Sequence, residues 1–237
     1  MNVRKWLGIE LIEVSASEKL VAALGGGLSI AALIGISYAA LPQASAAAVI
    51  ASMGASAVLL FAVPHGPLSQ PWPVIAGNVI SAAIGVICAQ MIPWPWVAAA
   101  CAVGLAIGAM HQFKCIHPPG GATAFTAVLG GEAVHQLGFQ FVIFPVLANA
   151  ATMVLLAVLI NSVFPWRRYP AILNRPAQTP PMNSSESPPP SHEEVITAIR
   201  SLDSFVDISE EDLLRLIELL SQHEDRRPAF ANKMKSA

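Results

Sequence analysis

Charge is almost missing from the middle of this chain. Of its 13 Lys and Arg and 15 Asp and Glu residues, only Lys114 and Glu132 fall between Leu20 and Pro165. A water-facing surface cannot be built from such a block, because almost nothing polar is left to cover it. The solvent for this stretch is therefore lipid. Cysteine is sparse too. Cys88, Cys101 and Cys115 lie in or beside apolar segments and form no C-x-x-C pair, which argues against a disulfide framework and a zinc site. A net charge of −2 gives no electrostatic case for nucleic acid. No early apolar run with a cleavage pattern marks a secretory signal, and no Arg-rich, acid-poor start marks a transit peptide. The chain has no H-E-x-x-H, G-x-S-x-G or Walker sequence, and no paired carboxylates inside the apolar block. The expectation is a membrane protein that is not an enzyme, uses no metal or cofactor, and sits in a bacterial inner membrane.

What is present is apolar sequence in repeated runs, at roughly 20–41, 44–63, 74–92, 95–113, 118–131 and 139–164. A helix needs about 20 apolar residues to cross the hydrocarbon layer. Gly54 interrupts the second run and the fifth is short, so these two are expected to be broken or re-entrant. Arg4, Lys5 and Lys19 at the start, with Arg167, Arg168 and Arg175 at the end, put both termini on the cytoplasmic side. A six-span path leaves the turn at Lys114 cytoplasmic and the turns at 92–96 and 130–138, which lack Lys and Arg, on the outside. Trp72, Trp94, Trp96 and Trp166 stand at run boundaries, where interfacial anchors belong.

Two short echoes point to internal duplication. Gly-Ala-Ser-Ala at 54–57 matches Gly-Ala-Thr-Ala at 121–124, and PVIAGN at 73–78 matches PVLAN at 145–149. Three crossings per copy would invert the second copy, as in many transporters. The predicted fold class is an all-α membrane protein of about six transmembrane or broken helices in two inverted three-helix repeats, with a short soluble helical tail. Its divisions are an interfacial segment (1–19), a membrane domain (20–166), a Pro/Ser-rich linker (167–191), an amphipathic helical tail (192–228) and a disordered end (229–237). Ser15 and Glu18 fit a capping box ahead of the first span.

The most unusual stretch is His117-Pro118-Pro119-Gly120-Gly121-Ala122-Thr123-Ala124. Prolines lead readily into a helix, glycines admit a close ligand or backbone, and the first N–H groups of a helix carry its positive dipole end. His117, Gly120, Gly121, Ala122 and Thr123 are thus candidate anion ligands near the membrane midplane. The alternative is a tight turn whose glycines only permit helix packing. If the repeat holds, Gly54, Ala55 and Ser56 form a second helix start of the same kind. Asn78, Asn149, Lys114 and His65 are secondary candidates; the asparagines could equally bond across helices, and Lys114 could serve only as a topology charge. Glu132 lies near the opposite face with His135 three residues on, and Gly104 and Gly108 form a G-x-x-x-G.

HPPGGATA, together with MGASAVLLFAVPHGPLSQPWPVIAGNVISAAIGV at 53–86, resembles the HPP family of integral membrane proteins, over about residues 20 to 165. His65-Gly66 departs from the family pattern, which has a small hydroxyl residue there. The resemblance implies a compact helical membrane domain and, from members in photosynthetic organisms, nitrite transport. The functional expectation is a transporter or channel for a small monovalent anion, nitrite above all. The alternative is a membrane sensor or scaffold that signals through the tail. Expected partners are that anion, membrane lipid and a second copy of the chain.

Overall fold

Proline opens three of the described α-helices and stands just before a fourth. In the computed structural model, which describes residues 14–40 and 42–174, α1 (Ala16–Ala40) and α2 (Gln43–Ala62) are followed by α3 (Pro71–Met91), α4 (Pro95–Gln112) and α5 (Pro118–Leu129). A short α6 (Glu132–Leu137) and a π-helical turn (Val142–Leu147) lead into α7 (Ala148–Ser162), and short 3-10 turns cover Pro67–Ser69, Pro165–Arg167 and Ala171–Asn174. Pro42 precedes α2, and Pro71, Pro95 and Pro118 are the first residues of α3, α4 and α5. At that position the missing N–H costs nothing and the fixed φ already suits a helix. The expected tail and end (192–237) lie outside the described residues, as do residues 1–13 and 175–191; residues 14–19 and 167–174, assigned to the N-terminal segment and the linker, are described, and Arg167 and Tyr169 are buried there.

The helices run back and forth between two faces. Glu18 at the start of α1 meets Arg167 after α7, and Trp72 at the start of α3 donates to the Phe113 carbonyl after α4 (3.1 Å). Tyr169 donates to the Ser69 carbonyl on the same face (2.8 Å). Both ends of the described bundle therefore share one face, as an even number of passes requires. Among the described residues, four helical stretches are long and apolar enough to cross a membrane: Ala16–Tyr38, Pro71–Met91, Pro95–Gln112 and Val142–Ser162. Apolar side chains point outward along them, among them Leu20, Leu24 and Leu28 on α1 and Leu155 and Leu159 on α7. Such a surface suits hydrocarbon.

Two expectations about broken segments change. Gly54 does not interrupt the second run, because α2 is continuous from Gln43 to Ala62. A helix tolerates one glycine at a cost of about 1 kcal/mol. The last run, expected to be unbroken, departs from helical geometry at Phe144 (φ −138°, ψ 113°). Pro145 is the reason: its ring pushes the preceding residue out of the α region.

α3 is the most enclosed of the candidate spans, and α5 lies along it in the same direction. Small residues let the two backbones meet. A Cβ on Gly85 would lie 2.6 Å from the Ala124 carbonyl oxygen and 2.6 Å from the Ala127 methyl; one on Gly77 would lie 2.8 Å from the Cys115 carbonyl oxygen. One on Gly120 would lie 2.8 Å from Ser81 Oγ and 2.9 Å from the Gly77 carbonyl oxygen. Close backbone approach through glycine is the usual way helices associate where lipid removes the hydrophobic driving force. Gly104 and Gly108, the G-x-x-x-G pair, meet nothing within 4 Å and face outward on α4.

Candidate functional site

A polar cluster lies where α2, α3 and α5 come together. His117, the residue just before α5, is fully buried, and both ring nitrogens are engaged. The Leu68 backbone carbonyl can only accept, so His117 Nδ1 carries the proton and donates to it (2.9 Å). Nε2 is then the acceptor for the Ser56 hydroxyl (2.8 Å). In its neutral form the imidazole is thus held in one tautomer. One turn into α5, Thr123 donates to Asn78 Oδ1 (2.7 Å) and more weakly to the Pro119 carbonyl (3.2 Å), while Asn78 Nδ2 donates to the Val74 carbonyl (2.8 Å). Ser81, one turn beyond Asn78 on α3, is fully buried and its Oγ has no hydrogen-bond partner. Among the described residues, no charged side chain belongs to this cluster.

The start of α5 packs tightly. Pro118 and Pro119 have no N–H, and the Gly120 N–H is taken by the His117 carbonyl (2.8 Å). Gly120 lies against Gly77 and Ser81 of α3, so its missing side chain serves helix packing. Ala122 is exposed, and Gly121 is only partly covered. The cluster lies at the level of Gly77, the seventh residue of α3, which is about 9 Å from that helix's start at 1.5 Å per residue. Ser81, the eleventh of the 21 residues of α3, stands at that helix's midpoint, so the cluster extends from there toward the face that carries both ends of the bundle.

The other candidates are scattered. Gly54, Ala55 and Ser56 lie well inside α2, so they are not a helix start; only Ser56 reaches the cluster, while Ala55 is exposed and Gly54 faces an apolar groove. The matched tetrapeptides also occupy different places, late in α2 and early in α5, which the 54–57 to 121–124 alignment does not allow for. Asn149 bonds Ser37 of α1 through Nδ2 (2.9 Å), and its buried Oδ1 has no partner. Lys114 is exposed in the turn after α4, with a left-handed backbone (φ 53°). His65 is half-buried in the loop after α2. Burial lowers its pKa below the ordinary 6.5, a hydrogen bond to the Arg168 backbone opposes that, and the nearby Arg167 charge adds to it. Glu132 is exposed and accepts from Gln136 (3.2 Å), and His135 donates to the Val128 carbonyl (2.7 Å). A groove of about 490 Å³ between α1 and α2 is apolar and does not include Ser56.

Sequence reasoning missed two features of this region. Arg167, read as a topology charge, is buried and bonds Glu18, Asn161 and the Phe61 carbonyl; Trp166 also donates to Glu18 (3.0 Å). Ser15 Oγ accepts from the Glu18 N–H (3.2 Å), as the capping box requires, but the Glu18 carboxylate goes to Arg167 and Trp166. Ser81 carried no motif. Its helical spacing of three from Asn78 was the only available signal.

Among known proteins, a transmembrane protein of Dictyostelium discoideum is 35% identical over 173 residues, covering 70% of this chain and 55% of its own length. Another transmembrane protein from the same organism is 40% identical over 125 residues, covering 51% of this chain and 44% of its own. The chain spans about half the length of these curated relatives. No solved structure matches it. The family model for the HPP transmembrane region matches residues 12–170, from just before α1 to the segment after α7. Helices apolar enough to span lipid coincide with that match, and the chain belongs to the HPP family of transmembrane proteins.

Proposed function

We propose that the protein is a transporter or channel for a small monovalent anion, with nitrite the first substrate to test. The observation that carries this reading is the buried cluster of Ser56, Asn78, Ser81, His117 and Thr123, which has donors and a polarisable ring but no formal charge. Burying a polar group in hydrocarbon is costly unless it has partners or a task. Neutral donors suit a weakly hydrated anion that must leave as readily as it arrives. The Ser56 and Thr123 hydroxyls, which now bond to neighbours, could turn to such an ion, and the unpartnered Ser81 hydroxyl could join them.

The order of neighbours supports a two-fold reading of the bundle. Exchanging α1 with α4, α2 with α5 and α3 with α7 turns the α1–α2 contact into α4–α5, α1–α7 into α4–α3, and α2–α7 into α5–α3. The α2–α5 and α3–α7 contacts map onto themselves. This is the pattern expected of two inverted three-helix repeats, in a register other than the one the tetrapeptides suggested. We place the face with both bundle ends on the cytoplasmic side, following the Lys and Arg distribution. The bacterial inner membrane is a separate proposal, since both relatives come from a eukaryote.

The test is uptake of nitrite, nitrate, chloride and formate by liposomes containing the full chain, well above the pKa of nitrous acid, with empty vesicles as control. Protein-dependent flux that prefers nitrite is expected, and weaker in Thr123→Val. No flux of any anion from folded protein would refute the reading.

A further inference from the structure

The segment after α7 is tied to the loop that holds His117. Tyr169, fully buried, donates to the Ser69 carbonyl (2.8 Å), and the Ala171 N–H donates to Gln70 Oε1 (3.0 Å). Gln70 Nε2 in turn donates to the Pro64 and Gly66 carbonyls (3.1 and 2.9 Å), and Ser69 Oγ to the Leu59 carbonyl (3.0 Å). Arg167 bonds the Phe61 carbonyl at the end of α2, and His65 has a hydrogen bond to the Arg168 backbone. The loop is thus bonded to the segment on one side. On its other side it presents a single carbonyl, that of Leu68, to His117 Nδ1. Residue 171 and Ser56 are linked by this unbroken series of bonds and covalent loop.

We propose that residues 165–171 are a positioning strap for the anion site. Tyr169 and Gln70 fix the Leu68 carbonyl, and that carbonyl decides which nitrogen of His117 carries the proton. This rests on reading the Ser56–His117 cluster as the anion site. The physical basis is the tautomer equilibrium. A carbonyl at Nδ1 holds the proton there and leaves Nε2 free to accept from Ser56, whereas a displaced carbonyl lets the proton move to Nε2, so that the Ser56 hydroxyl must turn round, accept from the ring and aim its own proton elsewhere.

The experiment uses the full chain with ¹⁵N-labelled histidine. The His117 resonances are assigned by their loss in His117→Gln, and the nitrite concentration dependence of uptake is measured alongside. In the wild type His117 is expected to show a protonated Nδ1 and a bare Nε2. Tyr169→Phe and Gln70→Met should each mix the two tautomers and raise KM about fivefold, the factor set by one net hydrogen bond, with Vmax changed less. Wild-type His117 resonances in the folded variants would overturn the strap, whatever happens to KM. So would a shifted tautomer with unchanged KM. Gln70→Met alone decides the matter if Tyr169→Phe does not fold. If the wild type moves no anion, the transport reading falls, while the resonances still judge whether the strap sets the tautomer.

Discussion

Two glycines of similar sequence surroundings should respond oppositely to the same added methyl group. In Gly85→Ala the new Cβ would lie 2.6 Å from both the Ala124 carbonyl oxygen and the Ala127 Cβ, and 3.1 Å from the Ala124 Cα. None of these atoms is the end of a flexible side chain. Ordinary contact begins near 3.4 Å, so α3 and α5 must part by about 0.8 Å, and overpacking of this kind costs about 1–3 kcal/mol. Two rigid atoms at 2.6 Å put the cost in the upper part of that range, and the helix-propensity gain of alanine offsets about 1 kcal/mol, leaving a net loss of about 1–2 kcal/mol. Gly104→Ala meets nothing within 4 Å and keeps the propensity gain, so it should be neutral or slightly stabilising. Reversible unfolding in mixed micelles, followed by tryptophan fluorescence, reads both. Adding Ala127→Gly to Gly85→Ala should recover part of the loss, because it removes one of the colliding atoms. A Gly85→Ala protein as stable as wild type would refute the packing argument for the α3–α5 contact. An equal loss in Gly104→Ala would show that the α4 face is covered in the assembled protein.

Other expectations concern the cap and the cluster. Glu18→Ala leaves Arg167 buried without its counter-charge and should cost about 3–5 kcal/mol in the same assay. The double variant Glu18→Ala/Arg167→Met should cost less than the sum of the two. Thr123→Val leaves Asn78 Oδ1 unsatisfied and should lower stability by about 1–3 kcal/mol, besides weakening flux. His65 has a folded-state pKa below its ordinary value, so just below 6.5 the unfolded chain binds more protons than the native one. Its contribution is therefore complete above the ordinary histidine range and is lost as pH falls through that range toward the lowered value. Melting temperatures across mildly alkaline to mildly acidic pH should show this fall, and His65→Gln should flatten it.

Each expectation drawn from the sequence rested on a different kind of signal. The prolines at 71, 95 and 118 mark helix starts because their chemistry is local. Trp72 and Trp94 stand at helix ends for the same reason that made them look like anchors. Gly54 misled because glycine weakens a helix without having to break it, whereas Pro145 broke a run that looked continuous. At the site, His117, Thr123, Asn78 and Ser56 were legible as unusual polar residues in an apolar block, and the fold brings all four into one cluster. Their roles were not legible. The N–H groups expected to face an ion at Gly120 are partly absent and partly bonded, and Asn149 belongs to another contact.

What the sequence determined by itself was the solvent. A block with Lys114 and Glu132 as its only charges cannot be covered by water, and hydrocarbon then requires backbone bonds satisfied within helices or a closed barrel. Apolar runs of helical length decide for helices. Only the tertiary structure decided which glycines pack and which face outward, and which hydroxyls meet the imidazole. It also decided that a charge at the end of the last helix is buried against one at the start of the first. Those outcomes depend on contacts between residues far apart in the chain, such as Glu18 with Arg167 and Ser56 with His117. Composition and periodicity report the environment of each segment, but helix register, set by small differences in how surfaces fit, selects the partners.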